Sequence, residues 1–501
     1  MVRVHNGKWW RAAMFGAVLV VSGCASVPQP LRSDLDAENV QVQQCAHLFE
    51  TLDAVVARAG VGDAQARPVS GFPYLRVDRF TAALASSADH DSRAFDSWVE
   101  RMQALGEQGR RVEISNLPET DIVHLGASDR QAVVSHMLEC ARTMAQNDLA
   151  NEDKARELLD QRAHVPDDYS SFERAVGLYA LTSIPFSSGI KDWHEEATAA
   201  FKRARSAEDK PQAVLRYVPP EAATYTRDQV AALLKRSADP LGVPVLSAGE
   251  RERLFATYAP VFEMETSGHY DHIGRLFWTG SVAPQVDISH PTVYRKLAYT
   301  LDRGQVLLQL VYVVWVPERP QQSAFDLYSG KLDGIVWRVT LAPDGEPLLF
   351  DSIHPCGCFQ MYFPTPRAEP LPAPHGDVEW AFIPATLPAI PEGDRITVSA
   401  QTRTHYLDNV WPHHGQTGIE YAFADYDSLR TLELPGGGSR SIFGPDGLVP
   451  GTQRDERFFF WPMGIASAGA MRQWGTQATA FVGRSHFDDA DLIERRFRLI
   501  Y

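Results

Sequence analysis

The stretch Asp351-Ser352-Ile353-His354-Pro355-Cys356-Gly357-Cys358-Phe359-Gln360-Met361 places an imidazole, two thiols and a thioether within eight positions, His354 to Met361. In a regular strand His354, Cys356 and Cys358 would share one face. Pro355 fixes one torsion and Gly357 frees another, so the expected result is a turn that brings the two sulfurs together. Three outcomes compete for such a turn. The sulfurs with His354, and Met361 beside them, are a ligand set suited to copper or zinc. They can instead close a Cys-Gly-Cys disulfide, strained because the alpha carbons lie near the limit for bridging, and therefore oxidising and prone to exchange. In the third outcome the turn is structural, with each cysteine buried or paired elsewhere.

Weaker groupings surround it. Gly268-His269-Tyr270-Asp271-His272 puts imidazole and carboxylate at i and i+2, on one face of a strand, where His269 could reach a cation. Trp411-Pro412-His413-His414-Gly415 sets two histidines in a turn, of which one at most would join a site; His413, His414, Met361 and His269 are the candidates for a fourth ligand. Gly436-Gly437-Gly438-Ser439 lacks the lysine of a phosphate loop and reads as a hairpin loop. Gly483-Arg484-Ser485-His486-Phe487 lacks the second glycine of a nucleophile elbow. Asp488, Asp489 and Asp491 lack the alternation, glycine and closing glutamate of a calcium loop, and read instead as the start of a helix leading into Ile493 and Phe497.

The elements that must position these residues change character along the chain. Cys45, Leu48, Phe49, Leu52, Val55 and Val56 recur at helical spacing, as do Phe95, Trp98, Val99, Met102 and Leu105. A third helix begins at Ser128 or Asp129 and carries Val133, Met137, Cys140 and Met144 on one face. A fourth starts at the capping-box pattern Ser170-Ser171-Phe172-Glu173 and is expected to turn Phe172, Val176 and Tyr179 inward. From about residue 255 the period becomes two. Two strands are expected about Asp302-Arg303-Gly304, and two more about Pro343-Asp344-Gly345. Further strands are expected at 395–406, 419–424, 457–461 and 477–483, with a surface loop at 364–374. The class is α+β: a mostly helical domain over 40–250, then a β-rich domain over 251–501 resembling a sandwich or barrel.

The first residues decide the redox setting. Arg3, Lys8 and Arg11 precede an apolar run from Ala12 to Val21, too short for a bilayer-spanning helix of about 20 residues and patterned like a secretory signal over 1–23. The break Val21-Ser22-Gly23-Cys24 resembles the lipobox of bacterial lipoproteins. That resemblance implies cleavage before Cys24, palmitate-type acylation of Cys24, and, with Ala25 rather than aspartate next, an outer-membrane anchor with the body facing the periplasm. Residues 24–39 then form a tether rich in proline, serine and charge. Outside the cytoplasm thiols are usually oxidised. Cys45 and Cys140 each sit on the apolar stripe of a helix and are expected to form a disulfide, which leaves Cys356 and Cys358 bridged together or held by a ligand.

Removing residues 1–23 takes three basic residues and no acids, and moves the formal charge from −15 to −18. That excludes a nucleic-acid partner, which needs a basic face. Hydrophobic residues at 44% and 11 tryptophans supply a sizeable core. Three functional readings follow: an envelope lipoprotein with a metal- or thiol-reactive Cys/His site, a non-catalytic scaffold or assembly factor that holds an envelope protein, and a hydrolase with Cys356 as nucleophile and His413 or His414 as base.

Overall fold

The computed structural model describes residues 39–501 apart from 89–90, 207–212, 281, 375–376 and 416. Cys24, with the signal and most of the tether, lies outside the described residues.

Helix α1 (Val40–Ala59) begins at Asn39, whose side chain accepts from the Gln41 N–H, and ends at Gly60 in the left-handed region. It buries Val42, Cys45, Phe49, Leu52, Val55 and Val56, the expected stripe. Helices α2 (Ser92–Asn116) and α3 (Arg130–Asp148) are capped by Asp91 and Asp129, each accepting a backbone N–H three residues on. Stripes of α1 and α3 pack together, and Cys45 and Cys140 are joined in a disulfide with alpha carbons 4.9 Å apart. The core they build takes in a two-stranded hairpin, Arg67–Val69 with Phe72–Val77, and, from later in the chain, Leu241, Val243 and Ala490.

Beyond it, helix α4 (Ser171–Val176) is capped by Ser170, but Phe172 and Val176 face outward, 70% and 58% exposed. The inward side of this short helix belongs to Arg174, whose guanidinium donates to the Met463 and Gly483 carbonyls and lies between the Tyr169 and Tyr179 rings. Helix α5 (Tyr179–Ser206) has Pro185 in its second turn and packs Ala197 and Phe201 against strands, so its core is that of the β-rich half.

The strands of the two main sheets are β1 (Val214–Val218), β2 (Val261–Glu265), β3 (Thr292–Asp302), β4 (Gln305–Arg319), β5 (Gly330–Leu341), β6 (Pro347–Ile353), β7 (Met361–Pro364), β8 (Arg395–Ala400), β9 (Leu407–His413), β10 (Ile419–Glu420) and β11 (Ala422–Asp425). One sheet has the order β7-β6-β5-β4-β3-β11, antiparallel throughout except that β11 runs parallel to β3. A second has the order β9-β8-β2-β1-β10. The two hairpins expected at 302–304 and 343–345 are both present. Alternation along β4 divides it between two cores: Leu308, Leu310, Tyr312 and Val314 meet Phe262, Met264 and Val398 of the second sheet, while Val311, Val313 and Trp315 meet the C-terminal loops. The fold is thus α+β with a sandwich in the β-rich half.

Three local expectations are corrected. Residues 457–460 form a short helix, α6 (Arg457–Phe460), because its phenylalanines lie on a surface turn rather than in a ladder. Residues 477–483 make one isolated bridge, Ala478 to His486, in place of a strand. The proline-rich 364–374 segment contains a strand, Ala368–Pro370, paired with Phe497–Leu499. The glycine run at 436–438 is the expected hairpin loop, between Leu432–Glu433 and Ser439–Arg440.

Candidate functional site

The turn after β6 is tight and closed. His354 N–H donates to the Cys358 carbonyl at 3.0 Å, and Gly357 N–H donates to the His354 carbonyl at 2.8 Å. Gly357 has φ +95°, and a Cβ there would lie 2.3 Å from the Ala478 carbonyl oxygen. Both thiols are free and buried, and the Cys356 sulfur accepts the Cys358 N–H at 3.4 Å. The hydrogen bond to Cys356, with burial, pushes the Cys358 thiol well above the usual range, so it is a thiol at neutral pH.

His354 does not turn toward a metal set. Its Nδ1 is 3.0 Å from Asp333 Oδ1, at the start of β5. The other oxygen of Asp333 is 3.0 Å from His405 Nδ1, and His405 Nε2 is 3.2 Å from Asp271 Oδ1. Asp271 belongs to the 3-10 turn His269–Asp271, where the sequence suggested a strand; its carboxylate also accepts from the backbone of Ser267 and Arg403 and from the Thr402 hydroxyl. Four buried side chains therefore form one chain, Asp271–His405–Asp333–His354, at the joined ends of both sheets.

The charge states follow. Burial raises the carboxyl of Asp271, but hydrogen bonds from His405 and the backbone outweigh it and hold it at about 2. Burial likewise opposes ionisation of Asp333, and His354, His405 and Arg454 together hold it well below the carboxylate range. For His405 burial disfavours the cation, yet two flanking carboxylates raise it. A ring whose two nitrogens both face carboxylates is an imidazolium, since each bond needs an N–H. Burial lowers His354 against the pull of Asp333. Neutral His354 must then carry its proton on Nδ1 toward Asp333, which leaves the lone pair on Nε2.

His354 lines a small cavity of about 10 Å³ with Arg319, Tyr328, Cys356, Phe359 and Glu456, among others. Arg319 donates to the Tyr406 hydroxyl at 3.1 Å, and its buried Nε–H has no acceptor. Tyr328, Phe359 and Glu456 also line a second cavity of about 350 Å³. Trp193, Phe382, Phe460 and Phe481 wall it, and Cys358 and Glu379 border it. Burial pushes Glu456 up to about 7 against the pull of Arg454 and Arg319, and Glu379 up to about 8 against two backbone N–H donors. Burial also lowers His194, stacked on Phe382, to about 4. Near neutral pH the larger chamber thus holds a protonated Glu379, a Glu456 in the middle of its titration, a neutral imidazole and aromatic rings.

The remaining residues singled out in the sequence are dispersed. His413 ends β9 opposite Arg395, His414 is exposed and bonded to Asp394, and His269 sits against Tyr270; neither cavity is lined by any of them. Among the described residues no group of three or more His, Cys, Asp or Glu side chains is arranged to hold a metal ion. The 488–491 acids split their roles: Asp489 accepts the His486 N–H, and Asp491 precedes the helix Leu492–Arg496 without a side-chain cap bond. Sequence reading missed His405, Asp333, Glu456 and Glu379, which come from four separate stretches with no local spacing. Compared with family models, with curated proteins and with solved structures, the chain matches none.

Proposed function

We propose that the chain is a lipid-anchored protein of the bacterial envelope, held through Cys24, whose β-rich half receives a largely apolar molecule from the membrane into the aromatic chamber. One observation carries this reading: the chamber's lining continues outward as an apolar surface. Pro185, Phe186 and Phe460 line the chamber. Around them Phe172, Val176, Leu181, Ile184, Phe458 and Phe459 each expose more than half of their surface. They gather because α4, α5 and the 461–463 turn pack together, with the Phe186 and Phe460 rings 4.9 Å apart. Contiguous exposed apolar surface of this kind marks a binding or membrane-facing site. An apolar chamber opening onto it is where an amphiphile would enter without crossing water. The tether, 15 residues from Ala25 to Asn39, reaches at most roughly 50 Å when extended, which bounds how far the first helix can stand from the bilayer. Among the described residues no helix is long and apolar enough to cross a membrane.

The test uses a filled chamber. Gly189 lies on the chamber wall, and a Cβ there would meet nothing within 4 Å. Gly189→Phe should therefore fold normally and occupy the chamber. Wild type should enhance the fluorescence of N-phenyl-1-naphthylamine with a saturable curve, and Gly189→Phe should lose that binding with an unchanged melting temperature. Equal binding by both proteins would place the dye elsewhere and refute the reading.

A further inference from the structure

We propose that the chamber is also a catalytic site, in which His354 and Glu456 hydrolyse a carboxylic ester at the head of the bound amphiphile. This rests on the chamber reading above and adds an activity to it. The geometry that points to it is the boundary the two cavities share, made by Tyr328, Phe359 and Glu456. The smaller one is the size of a single water, about 10 Å³. It is bounded on one side by His354, whose Nδ1 is committed to Asp333, and on the other by Glu456, which also borders the chamber. Arg319 lines the same space with a buried Nε–H that has no acceptor. An ester carbonyl at the Tyr328–Phe359–Glu456 boundary would meet a base, an acid and an unpaired donor.

A water at the junction gives its proton to His354 Nε2 while its oxygen forms a bond to the acyl carbon. The carbonyl electron pair moves onto oxygen, where the Arg319 Nε–H donates a hydrogen bond. Collapse breaks the acyl C–O bond, and the leaving alkoxide takes the proton of Glu456. The imidazolium of His354 then returns a proton to Glu456, so one ester and one water become one acid and one alcohol. His354 and Glu456 are the catalytic residues. Asp333, His405 and Asp271 are positioning residues, which fix the His354 tautomer through the hydrogen-bonded chain.

The structure also offers a thiol in place of the water, since Cys356 lines the smaller cavity beside His354. Against it, Cys356 does not line the chamber, and its sulfur already accepts the Cys358 N–H. The experiment separates the two. Full-length protein in detergent micelles is assayed with ethyl octanoate, whose ethoxide leaving group must take a proton to depart. Wild type should turn it over, and Glu456→Gln should lower kcat by on the order of 10²- to 10⁴-fold with KM within about twofold. His354→Gln should do the same. With enzyme in excess over ester, alcohol and octanoate should appear together, and the intact mass of acid-quenched protein should show no octanoyl adduct. No turnover by wild type that binds the naphthylamine dye would overturn the catalytic proposal while leaving the chamber reading intact. Wild-type kcat in Glu456→Gln would overturn it too, without dependence on whether His354→Gln folds. An octanoyl adduct on Cys356, with the alcohol released ahead of octanoate, would assign the nucleophile to the thiol and overturn the water mechanism.

Discussion

Replacing Glu456 by Gln should change how the stability of the protein depends on pH. Glu456 is 3% exposed, and burial raises its carboxyl from the ordinary 4.5 to about 7. A group whose folded value lies above its unfolded value binds its proton more tightly in the folded state. Its contribution is therefore complete below about pH 4.5 and is lost as pH rises to about 7. At about 1.36 kcal/mol per pH unit, the loss across that window is roughly 3 kcal/mol. Glutamine carries no such proton, so the variant should gain roughly 3 kcal/mol on wild type between pH 4.5 and pH 8.5, whatever its offset at low pH. For a folded body of about 460 residues the unfolding entropy is near 1 kcal/mol per kelvin, which converts this into a relative shift of about 3 °C. Glu379, raised by burial to about 8, produces a slope of the same sign in both proteins and cancels in the difference. Calorimetric melting of both at pH 5 and pH 8.5 reads the effect. A difference in melting temperature that stays constant across that range would show that Glu456 is not held neutral by the fold, and would refute the description of the junction.

Two further outcomes test the scaffold. The Cys45–Cys140 bridge closes a loop with a sequence separation of 95; Cys45→Ser with Cys140→Ser should lower stability by up to about 4.7 kcal/mol by the chain-entropy estimate, measured by urea unfolding, and a change below about 1 kcal/mol would show that the bridge constrains little. Gly357→Ala puts a Cβ at φ +95° and 2.3 Å from a carbonyl oxygen, so it should cost about 2–4 kcal/mol; an unfolding midpoint equal to that of wild type would mean the turn is free to relax.

The elements that were legible in the sequence are those whose signal is local and repeated. Asp129 caps α3 through the Ala132 N–H, and the Asp302-Arg303-Gly304 turn joins the strands expected about it, because cap and turn chemistry act over a few residues. The stripes of α1 and α3 were long enough to fix which face is inward, and with it the pairing of Cys45 and Cys140. Phe172 and Val176 show the limit. Six residues hold fewer than two turns, and the buried Arg174, satisfied by two distant carbonyls, takes the inward position that hydrophobicity assigned to them. In the site, His354 was singled out because it stands beside two cysteines, and Asp271 because it stands beside two histidines. Both proved central, but their partners are each other's neighbours through His405 and Asp333, at sequence separations of 134, 72 and 21. No spacing rule reaches across such gaps, since only the packing of the two sheets brings them together.

The buried chain is hard to explain as a device for stability. Asp271 and Asp333 are anionic and His405 is cationic, with the guanidinium of Arg454 3.8 Å from Asp333, so the formal charges cancel and His354 remains neutral. Such an assembly is tolerated in the interior because Asp271 accepts four hydrogen bonds and Asp333 three, beside the Arg454 guanidinium. Apolar side chains of similar volume would serve the core as well or better, since burying charge carries a desolvation penalty that pairing only offsets. What apolar residues could not do is present an imidazole with a fixed tautomer to a cavity one water wide. The chain has a saturated end at Asp271, which accepts four hydrogen bonds, and an open end at His354, which lines the cavity. Three residues rigidly hold a fourth whose remaining nitrogen is unclaimed, and that asymmetry distinguishes a positioning device from a structural network satisfied at both ends.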